Sequence, residues 1–359
     1  MPTNVISDNI YASVKAFGQK GRLLSYQTLE SLAESRDLDD LITKLRGTPY
    51  TQSVTELQPP HSADKLEKAF TEHLARMHFS LLKVSPQSEL LLATYLRHIA
   101  SNLKTILKGK ALNRSYEEIT RHIHLHAEEL IGRRDIVVKA LTAQNLDEAA
   151  RALAGSEFGE QAAAATRSYK EKAELQLFDI YIDRAFYSSL VGAYGASRSA
   201  LSSEQERIRP LLAVEIDSYN ALSALRAKLW DLPKPEARAL MVESDFAVPS
   251  DLLEDLVAAE SVDEALKVLT RTEYRSILPK EVSGREALSK LEEAFALLSH
   301  DRAQRAFLWN EFGVSLALAI VKLMEFEVRN LSAIALGVEQ RVGVQRMVEK
   351  LVYSKGRRT

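Results

Sequence analysis

Cysteine is absent from this chain of 359 residues. Its absence excludes a disulfide framework, a thiolate metal site and a cysteine nucleophile, and it fits a reducing compartment. Proline is also unevenly placed, because none of the ten prolines falls between residues 87 and 209 or after residue 279. Long helices are therefore permitted over most of the chain.

Long apolar runs and an excess of one charge are missing as well. The net charge is −2, with 46% hydrophobic and 27% charged residues, as expected for a folded globular chain. Nothing in this balance favours a nucleic-acid partner, which usually requires a basic face. The longest apolar run, residues 314–321, has less than half of the roughly 20 residues that a membrane-spanning helix needs. The N-terminus lacks the apolar core of a secretion signal.

Strand patterns are missing too, because alternating runs of Val, Ile and Thr joined by hairpin dipeptides do not occur. With long proline-free stretches and apolar residues at helical spacing, the sequence predicts an all-α fold.

A 14-residue pattern occurs three times and aligns without a gap. The copies read DLDDLITKLRGTPY at 37–50, NLDEAARALAGSEF at 145–158 and SVDEALKVLTRTEY at 261–274. Each begins with a residue suited to an N-cap and has a carboxylate three positions later, which predicts a helix start. Apolar residues then recur at i, i+3, i+4 and i+7, forming one stripe of a short amphipathic helix. A hydroxyl and an aromatic residue close each copy.

The aspartates that mark the three copies are Asp39, Asp147 and Asp263, separated by 108 and 116 residues. These intervals exceed the roughly 20 to 50 residues of solenoid repeats, so they indicate triplicated domains. We place them at residues 1–125, 126–243 and 244–359 and call them repeats 1, 2 and 3. Helix capping accounts for the three charges, and no partner acid or base recurs beside them to suggest catalysis.

A second signal recurs once in each repeat, as an asparagine inside a long helical pattern: Asn102, Asn220 and Asn330. Asparagine is a poor residue for a helix interior, so its repeated use requires a reason. We expect an amide bonded across a helix pair, which fixes the register; contact with a ligand at a domain junction is the alternative. Acidic residues precede Asn220 and Asn330 by five and three positions, whereas repeat 1 has Arg97 and Ile99 there.

Long helices are predicted at residues 63–83, 167–194 and 285–312. A first helix is predicted from about residue 9 into the segment around residues 22–35. In each repeat a helical hairpin leads into the capped helix.

These two signals, with the opening YASVKAFGQKGRLLSYQTL and the closing EFEVRNLSAIALGVEQRVG, make the chain resemble the C subunit of archaeal and bacterial V/A-type ATP synthases, the relative of the d subunit of the eukaryotic vacuolar ATPase. The resemblance implies a funnel of three helical domains about a pseudo-threefold axis. It implies a non-catalytic central-stalk protein without a cofactor, peripheral on the cytoplasmic face of the membrane. Its partners would be central shaft subunits of D and F type and a proteolipid ring of c or K type, in ATP-linked transport of protons or sodium ions.

Two alternatives are a stand-alone helical scaffold and a metal-dependent hydrolase. The second depends on HIHLHAEE at 122–129, where a continuous helix would place His122, His126 and Glu129 on one face. No HExxH pattern accompanies these residues, and solvated histidines are the simpler interpretation. The segment KGKALNRS at 108–115 lacks the order of a phosphate-binding loop, so we expect no direct nucleotide binding.

Overall fold

The structure is a computed structural model that describes residues 3–85, 88–196, 202–308 and 312–353. Within these ranges it is helical and contains no strand, which confirms the all-α prediction.

The described ranges hold nineteen α-helices. Repeat 1 and repeat 2 hold seven α-helices each in the described ranges, and repeat 3 holds five. Their bounds are α1 Thr3–Lys20, α2 Tyr26–Ala33, α3 Leu38–Leu45, α4 Thr51–Thr55, α5 Ala63–Leu82, α6 Glu89–Ala111, α7 Tyr116–Thr120, α8 His126–Leu130, α9 Arg134–Thr142, α10 Leu146–Ala152, α11 Gly159–Lys172, α12 Gln176–Ala196, α13 Ser202–Leu229, α14 Lys234–Ala239, α15 Ser250–Ala258, α16 Val262–Leu269, α17 Gly284–Ala306, α18 Val314–Glu339 and α19 Val344–Glu349. A 3₁₀ helix, Glu273–Ile277, follows α16.

Contacts divide the chain into two compact units. Unit 1 contains Met1–His98, His124–Arg133 and His300–Thr359, and unit 2 contains Ile99–Ile123 and Arg134–Ser299. This division follows contact density rather than the repeats, and the three domains at 1–125, 126–243 and 244–359 stay a prediction.

Helix α18 is the centre of unit 1. Its 26 residues are apolar almost all round, as expected for a helix that is covered on every side. Helices α1, α2, α3, α5 and α19 pack against it.

Unit 2 is built in the same manner from short hairpins on long helices. Helix α10 packs on α9 and α11, and α11 packs on α12. Helices α14, α15 and α16 pack on α13.

Three predicted helices differ from the structure. The first is two helices, because α1 ends at Lys20 and Ser25 caps a separate helix, α2. The predicted helix at 167–194 is broken at Ala173, which takes a left-handed conformation with φ of 57° and ends α11. The helix predicted at 285–312 ends at Ala306, and residues 309–311 lie outside the described ranges.

In the described part of the chain, no helix is both long enough and apolar enough to cross a membrane.

Candidate functional site: the junctions between repeats

The three hairpins α2–α3, α9–α10 and α15–α16 are built alike. The side chain of the N-cap residue accepts a hydrogen bond from the backbone N–H three residues on, at distances of 2.8 Å for Asp37, 3.0 Å for Asn145 and 3.2 Å for Ser261. The predicted N-caps are therefore confirmed. The carboxylate at the third helical position reaches one residue further back than in a standard capping box, because it accepts from the N–H preceding the cap.

The end of each hairpin is fixed by the hydroxyl that closes the sequence pattern. The hydroxyls of Thr48, Ser156 and Thr272 each donate to the carbonyl three residues earlier at 2.6–2.7 Å. Each also accepts from the N–H two residues later. This places the aromatic side chains of Tyr50, Phe158 and Tyr274 in the core, with at most 1% of each exposed.

Tyr50 joins the hairpin of repeat 1 to repeat 3. Its hydroxyl donates a hydrogen bond of 2.9 Å to Oε1 of Glu327, which lies three residues before Asn330 on α18. The other carboxylate oxygen of Glu327 accepts from the N–H of Leu24, just before the same hairpin. Burial raises the pKa of Glu327 to about 7, although both hydrogen bonds favour the ionised form.

Repeat 2 holds the hairpin of repeat 3 in the same way. The hydroxyl of Tyr274 donates to Oδ2 of Asp217 at 2.7 Å, and the N–H groups of Ala247 and Val248 donate to this carboxylate at 3.1 and 3.2 Å. Burial raises the pKa of Asp217 to about 6 against these hydrogen bonds. Val248 occupies the place in its repeat that Leu24 occupies in repeat 1.

The remaining pair of equivalent positions is apolar. Ile99 replaces the carboxylate and Phe158 replaces the tyrosine, and both are about 1% exposed within unit 2. The acid and the hydroxyl are thus either both present or both absent.

The repeated asparagines Asn220 and Asn330 bind the main chain 22 residues further on. Nδ2 of Asn220 donates to the carbonyl of Val242 and Oδ1 accepts from its N–H, both at 2.8 Å. Asn330 makes the same pair with Val352 at 2.9 Å. All three asparagines are buried, Asn102 included. The amides of Asn220 and Asn330 therefore hold the extended segment after a short helix, rather than a second long helix.

The ends of the three asparagine-bearing helices, α6, α13 and α18, carry a feature that sequence reasoning missed. The residue 11 positions after the asparagine is left-handed in every repeat: Asn113 (φ 53°), Asp231 (φ 49°) and Arg341 (φ 54°). The next N–H returns to the carbonyl five residues earlier at 2.8–2.9 Å, which closes the helix as a Schellman turn. Asn and Asp tolerate this conformation and Arg gives no such signal, so two of the three ends could have been found.

Charged pairs also join successive repeats. Lys104 and Lys108 of α6 bind Asp183 and Asp179 of α12 at 2.8 and 2.6 Å. These pairs are partly exposed, so each contributes only about 0 to 1 kcal/mol and favours correct pairing more than stability. Arg226, equivalent to Lys108, lies 3.6 Å from Glu292 of α17.

Helix packing and a hydrogen bond from a backbone N–H link α18 to repeat 1. Helix α18 packs along α5, and the Glu339 carboxylate accepts a hydrogen bond of 2.9 Å from the N–H of Ala63 at the start of α5. The helix that carries the asparagine thus contacts the following repeat at each step, and that of repeat 3 contacts repeat 1.

Residues 12–350 match the family described as ATP synthase (C/AC39) subunit. The chain belongs to this family. It is 26% identical to the C subunit of the A-type ATP synthase of Pyrococcus horikoshii, over 94% of this chain and 89% of that protein. It is 26% identical to the C subunit from Desulfurococcus sp. (strain SY) over the same shares. For Haloferax volcanii the identity is 28%, over 77% of this chain and 78% of the relative. Membership of this family supports the interpretation of the chain as a non-catalytic subunit of an ATP synthase.

In this member of the ATP synthase (C/AC39) family, Asp39, Asp147 and Asp263 lie exposed in the first turns of α3, α10 and α16. Asp147 pairs with Lys170 at 2.6 Å, and Asp39 bonds the ring of His61. The three aspartates lie at the hairpins, whereas the three asparagines lie in the core. The structure therefore does not bring the two sets together.

The metal-dependent hydrolase hypothesis assumed a continuous helix over residues 122–129, which the structure does not have. Helix α7 ends at Thr120 and α8 begins at His126, so His122 and His126 are not one turn apart on one helix. Across the described residues, no group of three or more His, Asp and Glu side chains is arranged to hold a metal ion.

A cleft of about 680 Å³ opens in unit 2 between α6, α12, α13 and α17. Its charges include Lys104 and Asp183, which already bind each other, and its wall includes Trp230. The cleft is polar and its opposite charges largely compensate, which does not match a phosphate-binding cradle.

Proposed function

We propose that the protein is a non-catalytic central-stalk subunit of a V/A-type ATP synthase, acting as a socket between the central shaft and the membrane proteolipid ring. The shaft partners are subunits of D and F type, and the ring is of c or K type. The protein is peripheral, on the cytoplasmic face of the membrane. Membership of the family and the names of the relatives support this position.

The observation that carries the proposal is the order in which the repeats pair. Helix α18 of repeat 3 packs against α2, α3 and α5 of repeat 1, and α13 of repeat 2 packs against α15 and α16 of repeat 3. Lys110 of α6 donates to the carbonyl of Ala143, in the turn between α9 and α10. Each repeat therefore supports the next, and the last supports the first. A cyclic order of contacts among three similar modules suits a socket.

A second observation supports a threefold-like axis. Arg97 and Glu325 occupy the same position in repeats 1 and 3, five residues before the asparagine, and their side chains form an ion pair of 2.5 Å. Equivalent positions of rotated copies come into contact only near the axis of rotation. Burial alone would raise the pKa of Glu325, but Arg97 and Lys322 outweigh it and lower that pKa.

The mechanism is mechanical. Buried acid–tyrosine pairs hold the hairpins of repeats 1 and 3 on their neighbours, because leaving either group unpaired costs about 1 to 3 kcal/mol. Torque is then transmitted through these buried contacts.

The experiment is affinity purification of the tagged protein from its own membranes. Nucleotide-binding ATPase subunits, small shaft proteins and a proteolipid are expected to co-purify. Recovery of the protein alone would support the stand-alone scaffold instead. A variant lacking one repeat serves as the control, since a chain without one set of these contacts is expected to lose all these partners.

A further inference from the structure

Helix α1 is apolar on both sides. Ala12, Ser13 and Ala16 are fully buried, and the helix packs against α18. The opposite side carries Ile10, Tyr11, Val14 and Phe17, which are 40–66% exposed. A helix that is apolar all round is normally covered all round.

The turn after α17 extends this apolar surface. The ring of Phe17 meets that of Phe307 edge to face, with centroids 5.3 Å apart. Ser13 exchanges hydrogen bonds with the backbone of Gly313, the residue after Phe312. Leu308 is 76% exposed and Phe312 is 54% exposed. We call these six side chains the α1 patch: Ile10, Tyr11, Val14, Phe17, Leu308 and Phe312. Such clusters on soluble proteins usually mark an interaction surface.

Lysines border the α1 patch. The ammonium of Lys20 lies 4.4 Å from the centre of the Phe307 ring. Lys15 donates a hydrogen bond of 2.8 Å to the carbonyl of Ser80, and Lys83 is close enough to Lys15 to lower its pKa, after the larger effect of burial. From Ile10 to Lys20 the helix has no acidic residue.

We propose that the α1 patch binds the surface of an anionic lipid bilayer. A helix with an exposed apolar side and lysines along its border is the arrangement that lies in the headgroup region. Aromatic and aliphatic side chains enter the boundary of the acyl chains, and the nearby lysines are attracted to an anionic surface. Lys15 and Lys20 are each partly buried at the border of the α1 patch, as expected of lysines whose stems pack along apolar surface.

The surface is a single convex helix beside a turn, which suits a fluid boundary without a shaped partner. The absence of acidic residues on this stretch of α1 matches the sign of the lipid charge. The inference goes beyond the proposed function and does not depend on it, because binding to vesicles requires neither the shaft nor the ring.

The test is co-sedimentation of the full-length protein with vesicles of phosphatidylcholine alone and of phosphatidylcholine mixed with phosphatidylserine. Wild type is expected to bind the mixed vesicles, and binding is expected to weaken as salt is added. Val14→Glu, at an exposed position, is expected to weaken binding at least tenfold. Lys20→Gln is expected to reduce the preference for phosphatidylserine. Leu297→Glu, at a comparably exposed leucine of α17 in unit 2, is the matched control and is expected to bind like wild type.

Equal binding of Val14→Glu and wild type would overturn the proposal, as would failure of wild type to bind phosphatidylserine vesicles. A different outcome is that wild type fails to bind vesicles while Val14→Glu no longer recovers a proteolipid from membranes. In that case the α1 patch binds a protein and the lipid assignment is wrong. A concentration-dependent dimer that Val14→Glu abolishes would assign the patch to a second copy. The co-purification result for wild type is unaffected by any of these outcomes, so failure here is distinct from failure of the proposed function.

Discussion

Tyr50 and Glu327 are 277 residues apart in the chain, yet the tyrosine hydroxyl donates a hydrogen bond of 2.9 Å to the carboxylate in the core of unit 1. This contact fastens the hairpin of repeat 1 to the long helix of repeat 3. Tyr274 and Asp217 form the same contact between repeats 3 and 2. In both cases a buried acid–tyrosine pair joins one repeat to another.

The hydroxyls of these tyrosines are predicted to matter for stability. Tyr50→Phe and Tyr274→Phe each remove one hydrogen bond from a buried carboxylate and should lower the free energy of unfolding by about 1 to 3 kcal/mol. Tyr116→Phe, at a half-exposed position, is the control and should change it little. Urea unfolding measures all three. An unchanged midpoint for both buried variants would show that the carboxylates do not need the phenols.

Stability is predicted to depend on pH through Glu327. Burial raises its pKa from 4.5 to about 7, so the folded state binds more protons than the unfolded state between these values. The stabilisation from this group is complete below pH 4.5 and is lost as the pH rises through 7. Between pH 5 and pH 8, wild type should lose on the order of 2 kcal/mol more than Glu327→Gln.

Unfolding in urea across this pH range compares the two proteins. Glu160→Gln removes an exposed carboxylate and should follow the wild-type curve. Asp217, with a pKa of about 6, contributes in the same direction to both proteins. Parallel curves for wild type and Glu327→Gln would contradict the prediction.

The amides of Asn220 and Asn330 are predicted to be of equal importance. Each makes two hydrogen bonds to one buried residue of the main chain. Asn220→Ala and Asn330→Ala leave an N–H and a carbonyl unpaired, so each should cost about 2 to 4 kcal/mol of unfolding free energy. Amide hydrogen exchange provides the specific readout, because the N–H of Val242 or Val352 should lose protection before its neighbours. Retained protection there would contradict the pairing.

A glycine at position 109 is predicted to be required for stability, because Ile119 packs directly against it. A Cβ on Gly109 would lie 2.5 Å from Cγ1 of Ile119, whose branched side chain cannot easily move. Gly109→Ala should therefore lower the free energy of unfolding by about 1 to 3 kcal/mol. Repeat 2 has the small pair Ala227 and Ala237 at these positions, both buried. Adding Ile119→Ala to Gly109→Ala should thus recover part of the loss.

Gly192 provides the matched control, since a Cβ there would meet nothing within 4 Å. Gly192→Ala should stabilise α12 by up to about 1 kcal/mol. If both glycine variants shift the melting midpoint in the same direction, crowding at Ile119 is not the cause.

Local features of the fold could be predicted from the sequence because each is decided within a few residues. A cap such as Asp37 and the apolar stripe that follows it specify a helix start and a buried face with no knowledge of the rest of the chain. The break at Ala173 could not be predicted, since alanine favours helix and only tertiary contacts select its left-handed conformation.

The partners of these local elements could not be read from the sequence. An apolar stripe indicates that a face is buried but does not identify the helix that covers it, so the packing of α18 on α5 was not predicted. One clue was present. Ile99 and Phe158 depart from the pattern together, and paired departures indicate that the positions interact. The partner of Asn220 and Asn330 was missed for a similar reason. Every residue has a backbone carbonyl, so the sequence does not show that Val242 is a partner.

We propose that this protein couples the shaft to the ring. This proposal is tested most directly by measuring ATP hydrolysis and ATP-driven ion transport together, in membranes that contain the complex with wild-type protein or with a chain lacking one repeat. We predict that transport is lost with the truncated chain, while hydrolysis by the catalytic subunits persists. Ion transport that stays coupled to hydrolysis when one of the three repeats is missing would contradict this proposal.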